Sequence, residues 1–374
     1  MDILVTGTGG ARGWPEPGCG CASCRRAAAH ETARMRSTII VDGVLRLGGD
    51  DVASEGDVAS GGDAAGGSED CAAEEEHLAV AGGGADAAAG SRGGAAGGGL
   101  RVREIPGGWD VTGADGERLL YPARPGAVPV PPEGARPYDV AFLDMLGDPF
   151  QLGGLRARGL VTDDTTVLVA FADHRVPSLA ELEERCALWR VGLIGDGGRV
   201  KKCRYVKKKV YRVLVIGGAR SGKSERAELR VAAEPDVTYV ATGPSGEGDP
   251  DWAARVAAHR ARRPAWWRTA ETTDLAGVLA GASGTLLIDG LGTWLAAMLD
   301  DGDLDARVAE LVAAWRRTSA FVVAVSDETG LGVIPATASG RTFRDWLGRV
   351  NQALAAESEE AELVVAGRTL ALGG

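Results

Sequence analysis

Arg212–Ser224, RVLVIGGARSGKS, decides the fold of the carboxy-terminal half. Arg212–Ile216 reads as a buried strand. Gly217, Gly218, Ala219, Arg220, Ser221, Gly222, Lys223 and Ser224 then fit the spacing G-x-x-x-x-G-K-[ST], with a helical pattern starting directly behind. Each part of that string has a chemical reason. The glycines let the backbone curl so that successive N–H groups face phosphate oxygens. The helix that follows presents its positive end to the same anion. Lys223 reaches the β- and γ-phosphates of a bound GTP or ATP, and the Ser224 hydroxyl is a ligand for Mg²⁺. The metal also needs an acid at the end of a neighbouring strand, and Leu286-Leu287-Ile288-Asp289 supplies Asp289.

Outward from this loop the pattern alternates strand and helix. Strands are predicted at 212–216, 237–241, 285–288, 320–325 and 362–365. Helices are predicted near 223–233, 252–262, 274–279, 304–318 and 341–358. Apolar strands between amphipathic helices imply an α/β P-loop domain over 212–374, a mostly parallel sheet with helices on both faces. Ala241, Thr242 and Gly243 end the second strand, where an open α/β sheet binds ligand.

The 374 residues suit two or three domains, and the formal net charge of −11 argues against nucleic acid as the main partner. No apolar run reaches membrane-spanning length and no signal-peptide layout opens the chain, so a cytoplasmic protein is expected. From 49 to 99 the chain is mostly Gly, Ala, Ser, Asp and Glu, which reads as a flexible insertion. Arg199–Arg212 carries eight Lys or Arg in fourteen residues. It reads as a basic linker over 199–211, with an anionic-ligand patch as the alternative.

The second half resembles the bifunctional adenosylcobinamide kinase / adenosylcobinamide-phosphate guanylyltransferase family. The matching strings occur in the family's order: Gly217–Ser224, Val237–Thr242, Arg255–Arg260 with Arg262-Arg263-Pro264, Trp267–Glu271, Leu287–Asp289 with Trp294, Val325–Glu328, Gly332–Pro335 and Arg341–Asn351. The resemblance implies two reactions and a homo-oligomer. A triphosphate phosphorylates adenosylcobinamide. GMP then passes from GTP, through a guanylylated histidine, to adenosylcobinamide phosphate. That histidine falls at His259. A neutral imidazole is a competent nucleophile near neutral pH. Arg260, Arg262 and Arg263 are expected to stabilise phosphate charge, and Glu271 matches a position associated with the guanine nucleotide. The chain departs from the pattern at Asp327, where Asn is expected, and at Gly290-Leu291-Gly292, where larger residues are usual. A kinase-only enzyme and a non-catalytic GTP-binding assembly protein remain alternatives.

In the first half, Leu4–Gly10 followed by Trp14–Cys24 resembles the opening of a metallo-β-lactamase-fold hydrolase of the phosphodiesterase type. In that group the C-x-C-x-x-C cluster holds a structural zinc. Cys19, Cys21 and Cys24 are expected to bind Zn²⁺, with His174, or else His30, as the fourth ligand. The family's catalytic H-x-H-x-D-H string is absent. Residues 1–198 are therefore expected to form a degenerate, truncated metallo-β-lactamase-like α/β domain, structural or docking in role.

Overall fold

The computed structural model describes residues 1–30, 32–48, 79–80, 93–96, 99–201, 211–244, 249–299 and 303–373. Most of the expected insertion and of the basic linker lies outside them. Two compact units result: 1–148 with 160–204, and 149–159 with 205–374. The helix Phe150–Ala157 thus packs with the second unit, not with the first domain where its sequence position put it. The edge of the Phe150 ring meets Trp267, their centroids 5.5 Å apart, and Arg156 donates to the Ala233 carbonyl at 2.7 Å. Among the described residues no helix is long and apolar enough to cross a membrane.

The first unit holds a four-stranded sheet, in the order 3–7, 38–41, 45–48, 79–80, and a six-stranded one, 166–169, 140–143, 118–122, 108–112, 100–105, 93–96. Their inner faces share one core that includes Ile3, Ile39, Leu47, Leu119 and Phe142. The unit also has the helices Ala22–Ala29 and Leu179–Trp189, the latter capped by the Ser178 hydroxyl, which accepts from the Glu181 N–H.

The second unit runs β1 (Arg212–Gly217), α1 (Lys223–Val231), β2 (Val237–Ala241), α2 (Pro250–Arg262), β3 (Arg268–Glu271), α3 (Leu275–Gly281), β4 (Thr285–Asp289), α4 (Leu291–Met298), α5 (Leu304–Arg317), β5 (Phe321–Asp327), α6 (Ala338–Ala356), β6 (Glu360–Val365) and β7 (Arg368–Ala371). The sheet order is β3-β2-β4-β5-β1-β6-β7, parallel except where β7 returns antiparallel on β6. Alternate residues of each strand enter opposite cores. Leu214, Ile216, Leu286, Ile288 and Val322 pack against α3 to α6. Val213, Val215, Leu287, Val323 and Val325 pack against α1 and Trp267. Both faces of the sheet are therefore covered, which is why these strands read as mostly apolar runs. β3, α4 and β7 were not expected from the sequence.

One buried ionic cluster ties the P-loop helix to β6. Arg226 donates to both oxygens of Glu362 (2.9 and 2.7 Å), Arg230 donates to the same carboxylate, and Arg230 also meets Glu360 at 2.7 Å. Burial alone would raise the Glu362 carboxyl, but the two guanidinium groups outweigh it and hold it at about 2. An unfolded glutamate titrates near 4.3, roughly two units higher, so the cluster contributes about 3 kcal/mol. The folded value is the depressed one, so this stability is complete above about pH 5 and is lost as pH falls towards 2. Urea unfolding midpoints should drop through that window. Glu362→Ala takes away the carboxylate that Arg226 and Arg230 share and should cost about 3 kcal/mol at neutral pH.

Candidate active site

Strand register brings the site together. Ala241 pairs with Asp289, Asp289 with Val325, and Gly217 with Asp327, so β2 and β4 end at one level and β1 and β5 two residues beyond it, all at the same edge of the sheet. The segments that leave these ends enclose a solvent-open cleft of about 920 Å³. Lys223, Ser224, Ala241, Gly243, His259 and Asp289, all singled out in the sequence, line it together with Arg260, Arg263 and Glu271. An adjoining recess is lined by Arg220, Ser221, Gly222, Lys223, Ser224, His259 and Arg262.

The loop after β1 has the curl that its glycines permit. Arg220 and Gly222 take φ of 55° and 95°, the left-handed region that turns N–H groups to one side. α1 starts directly at Lys223. The Lys223 amine donates to the Gly218 carbonyl at 3.1 Å and pairs with Asp327 Oδ1 at 2.9 Å. Gly217 and Ala219 belong to the curl and do not line the cleft. Thr242 is buried, and its hydroxyl donates to the Gly290 carbonyl at 2.6 Å, so it shapes the cleft wall rather than facing it.

Asp289 is the centre of the polar network. Its Oδ1 accepts from Ser224 Oγ at 3.5 Å, and its Oδ2 accepts from the Tyr239 hydroxyl. His259 Nδ1, itself buried, faces the same Oδ2 at 3.1 Å, at hydrogen-bonding distance but out of line. Burial alone would raise the Asp289 carboxyl. The contacts from His259 and Tyr239, with the Arg263 charge, reverse this and hold it below the usual carboxylate range. Burial and then the Asp289 charge push the Tyr239 phenol upward. β4, which carries Asp289, is not adjacent to the P-loop strand. β5 lies between them and brings Asp327 to Lys223.

The three arginines expected on phosphate are each engaged with protein groups. Arg260 bonds Glu271. Arg262 forms two bonds, 3.1 and 3.0 Å, to the buried Glu228 of α1, whose carboxyl burial raises. The Arg263 guanidinium lies 3.2 Å from the centre of the Tyr239 ring. Arg262 in particular fastens α2 to the P-loop helix, and this keeps His259 over the cleft.

Two of the departing residues, Gly292 and Asp327, form one feature. A Cβ on Gly292 would lie 2.6 Å from Asp327 Oδ2, so the small residue makes room for the carboxylate. Asp327 in turn neutralises Lys223. Asp327→Asn should tighten GTP binding several-fold by freeing that charge, a change that calorimetric titration would detect.

In the first unit the Cys19, Cys21 and Cys24 sulfurs all lie within 4.8 Å of one another. His174 is not with them. Its Nδ1 pairs with Glu16 Oε2 at 3.1 Å, and among the described residues no histidine joins the three thiols.

Residues 213–372 match the family model described as cobinamide kinase / cobinamide phosphate guanyltransferase. The bifunctional adenosylcobalamin biosynthesis protein CobU of Salmonella typhimurium is 41% identical over 176 residues, 96% of its length and 41% of this chain. This chain belongs to that family. CobP of Pseudomonas aeruginosa, with the same descriptive name, is 42% identical over 98% of its length and 44% of this chain. The Escherichia coli CobU is 39% identical over 96% of its length and 41% of this chain. The family makes this protein a transferase that uses a nucleoside triphosphate, and the P-loop cleft is where the fold presents one. The part of the chain before the P-loop domain lies outside the matched region.

Proposed function

We propose that this single cleft carries out two reactions of cobalamin biosynthesis, phosphorylation of adenosylcobinamide and transfer of GMP to adenosylcobinamide phosphate. The observation that supports it best is the placing of Lys223 and His259 on one lining. A triphosphate held by residues 217–224 puts its terminal phosphates at Lys223 and leaves its α-phosphorus on the His259 side. In the kinase reaction Lys223 leaves Asp327 for the phosphate oxygens and neutralises their growing charge. In the second reaction a neutral His259 attacks the α-phosphorus of GTP, a P–N bond forms, and pyrophosphate departs. The phosphate oxygen of adenosylcobinamide phosphate then takes the GMP, giving adenosylcobinamide-GDP and restoring the imidazole. Glu271 is suited to guanine because a carboxylate accepts from the N1 and N2 donors, and Arg260 fixes its position.

Ser224 Oγ and Asp289 Oδ1, two oxygen donors 3.5 Å apart, suit Mg²⁺. Held by Ser224 and Asp289, a bound Mg²⁺ would supply charge neutralisation for the departing phosphate. Incubating the protein with α-labelled GTP should leave an acid-labile, alkali-stable GMP adduct, and no adduct at saturating GTP would remove the guanylyltransferase half of this reading.

The first unit is proposed as a degenerate metallo-β-lactamase-like domain with a structural zinc. Sulfurs around a tetrahedral zinc lie roughly 3.8 Å apart, within the spread seen for the three thiols. The Cys24 N–H donates to Cys21 Sγ and keeps that thiol below its usual value, favouring thiolate, whereas burial pushes Cys24 up to about 11. Purified protein should hold one zinc per chain, and Cys21→Ser should release it and lower the first unit's thermal midpoint. Zinc absent after preparation without chelator would count against the site. A homo-oligomer in the cytoplasm completes the proposal. Exposed Leu331, Val333 and Ile334, between β5 and α6, offer an apolar contact for it.

A further inference from the structure

The Asp289 carboxylate faces two ways, and the P-loop chemistry uses only one of them. Oδ1 looks toward Ser224, at 3.5 Å, on the side expected to hold the metal. Oδ2 looks toward His259 Nδ1, at 3.1 Å, and is tied down by the Tyr239 hydroxyl. Tyr239 is in turn fixed by its burial in the sheet core and by Arg263 stacked on its ring. We propose that Asp289 and Tyr239 are positioning residues for His259, holding its proton on Nδ1 so that Nε2 presents its lone pair to the α-phosphorus.

Three features carry this. His259 Nδ1 is buried, and a buried ring nitrogen needs a polar partner; the Asp289 oxygen is the one it faces. A carboxylate accepts and never donates when ionised, so it selects the tautomer with hydrogen on Nδ1. When Nε2 attacks and the P–N bond forms, the ring keeps its Nδ1 proton and becomes cationic. Asp289 Oδ2 then lies against that new charge, while the electron pair of the breaking P–O bond leaves with pyrophosphate. In the second half-reaction the P–N electrons return to Nε2 and the ring is neutral again. One carboxylate therefore links the metal side of the cleft to the nucleophile, and orients both before the triphosphate arrives.

This inference rests on His259 being the residue that carries GMP, and the test separates the two. The chain has four histidines, so ¹⁵N-histidine spectra are simple, and His259→Gln assigns the signal. In the metal-free protein the His259 signal should report hydrogen on Nδ1, and Asp289→Asn should shift it toward the Nε2–H form. Tyr239→Phe, which keeps both oxygens for the metal, should shift it partly. That variant should slow GMP adduct formation on the order of tenfold, the loss expected for one hydrogen bond to a charged group, and slow phosphorylation less. Adduct on His259 in the parent protein with the same tautomer in all three proteins would overturn the positioning role alone. Adduct absent from His259 would overturn the underlying reading, whatever the tautomer.

Discussion

Replacing His259 with alanine is expected to abolish the GMP adduct and to cut adenosylcobinamide-GDP formation at least about a thousandfold, because the attacking atom itself is removed. Adenosylcobinamide phosphate should then accumulate as the end product. Labour is proposed to be divided within one cleft. In the proposed scheme Lys223 and the curled loop handle the terminal phosphates, whereas His259, on α2, faces the cleft from the far side of Asp289. Thermal unfolding of the variant should stay close to that of the parent, since His259 lies on the cleft lining, outside both sheet cores. Mass analysis of the protein after incubation with GTP checks the adduct, and separation of the corrinoid products checks the rest. GDP product at parental levels would require another nucleophile.

Lys223→Ala should depress both reactions together, by about 10²–10³-fold, the usual loss when one preorganised positive group is taken from developing phosphate charge. The joint effect distinguishes it from His259→Ala. The same substitution leaves Asp327, no longer paired with the amine at 2.9 Å, as an uncompensated negative charge in the cleft. Nucleotide binding should therefore weaken further than loss of the lysine alone explains. Adding Asp327→Asn to Lys223→Ala should recover part of that binding but little of the rate, and a double-mutant cycle on GTP affinity measures the difference. A Lys223→Ala protein that lost one activity and kept the other would mean that the two reactions use separate triphosphate sites.

The P-loop was legible because its signal is local: strand, glycine curl and helix occupy thirteen consecutive residues, 212–224. The strands β1, β2, β4, β5 and β6 were legible because both their faces are buried and apolar residues dominate them. What escaped notice lacked such signals. β3 is Arg268–Glu271, a sheet-edge strand of mostly exposed, polar residues. α4 begins after Gly290 and contains Gly292, and two glycines give no helix signal, yet Gly292 serves the close approach to Asp327. β7 is four residues returning through Ala366-Gly367.

The site divides in the same way. Residue identity pointed to Lys223, Ser224, His259 and Asp289, and the fold gathers them. It did not point to Tyr239, whose place in an apolar strand reads as core; only its hydroxyl, bonded to Asp289, joins the polar network. Arg262 was read as a phosphate ligand, but its partner Glu228 lies 34 residues earlier in the chain, a pairing no spacing rule exposes. The same holds for His174. Its distance from the cysteines in space could not be read from the chain, and Glu16 holds it instead.

The most direct measurement is mass analysis of the products formed by the full chain from adenosylcobinamide, GTP and Mg²⁺. The predicted result is adenosylcobinamide-GDP with release of pyrophosphate, preceded by the monophosphate and accompanied by GMP on His259. A reaction that stops at adenosylcobinamide phosphate with no GMP on the protein, or one that yields no corrinoid product although GTP binds, would contradict the account.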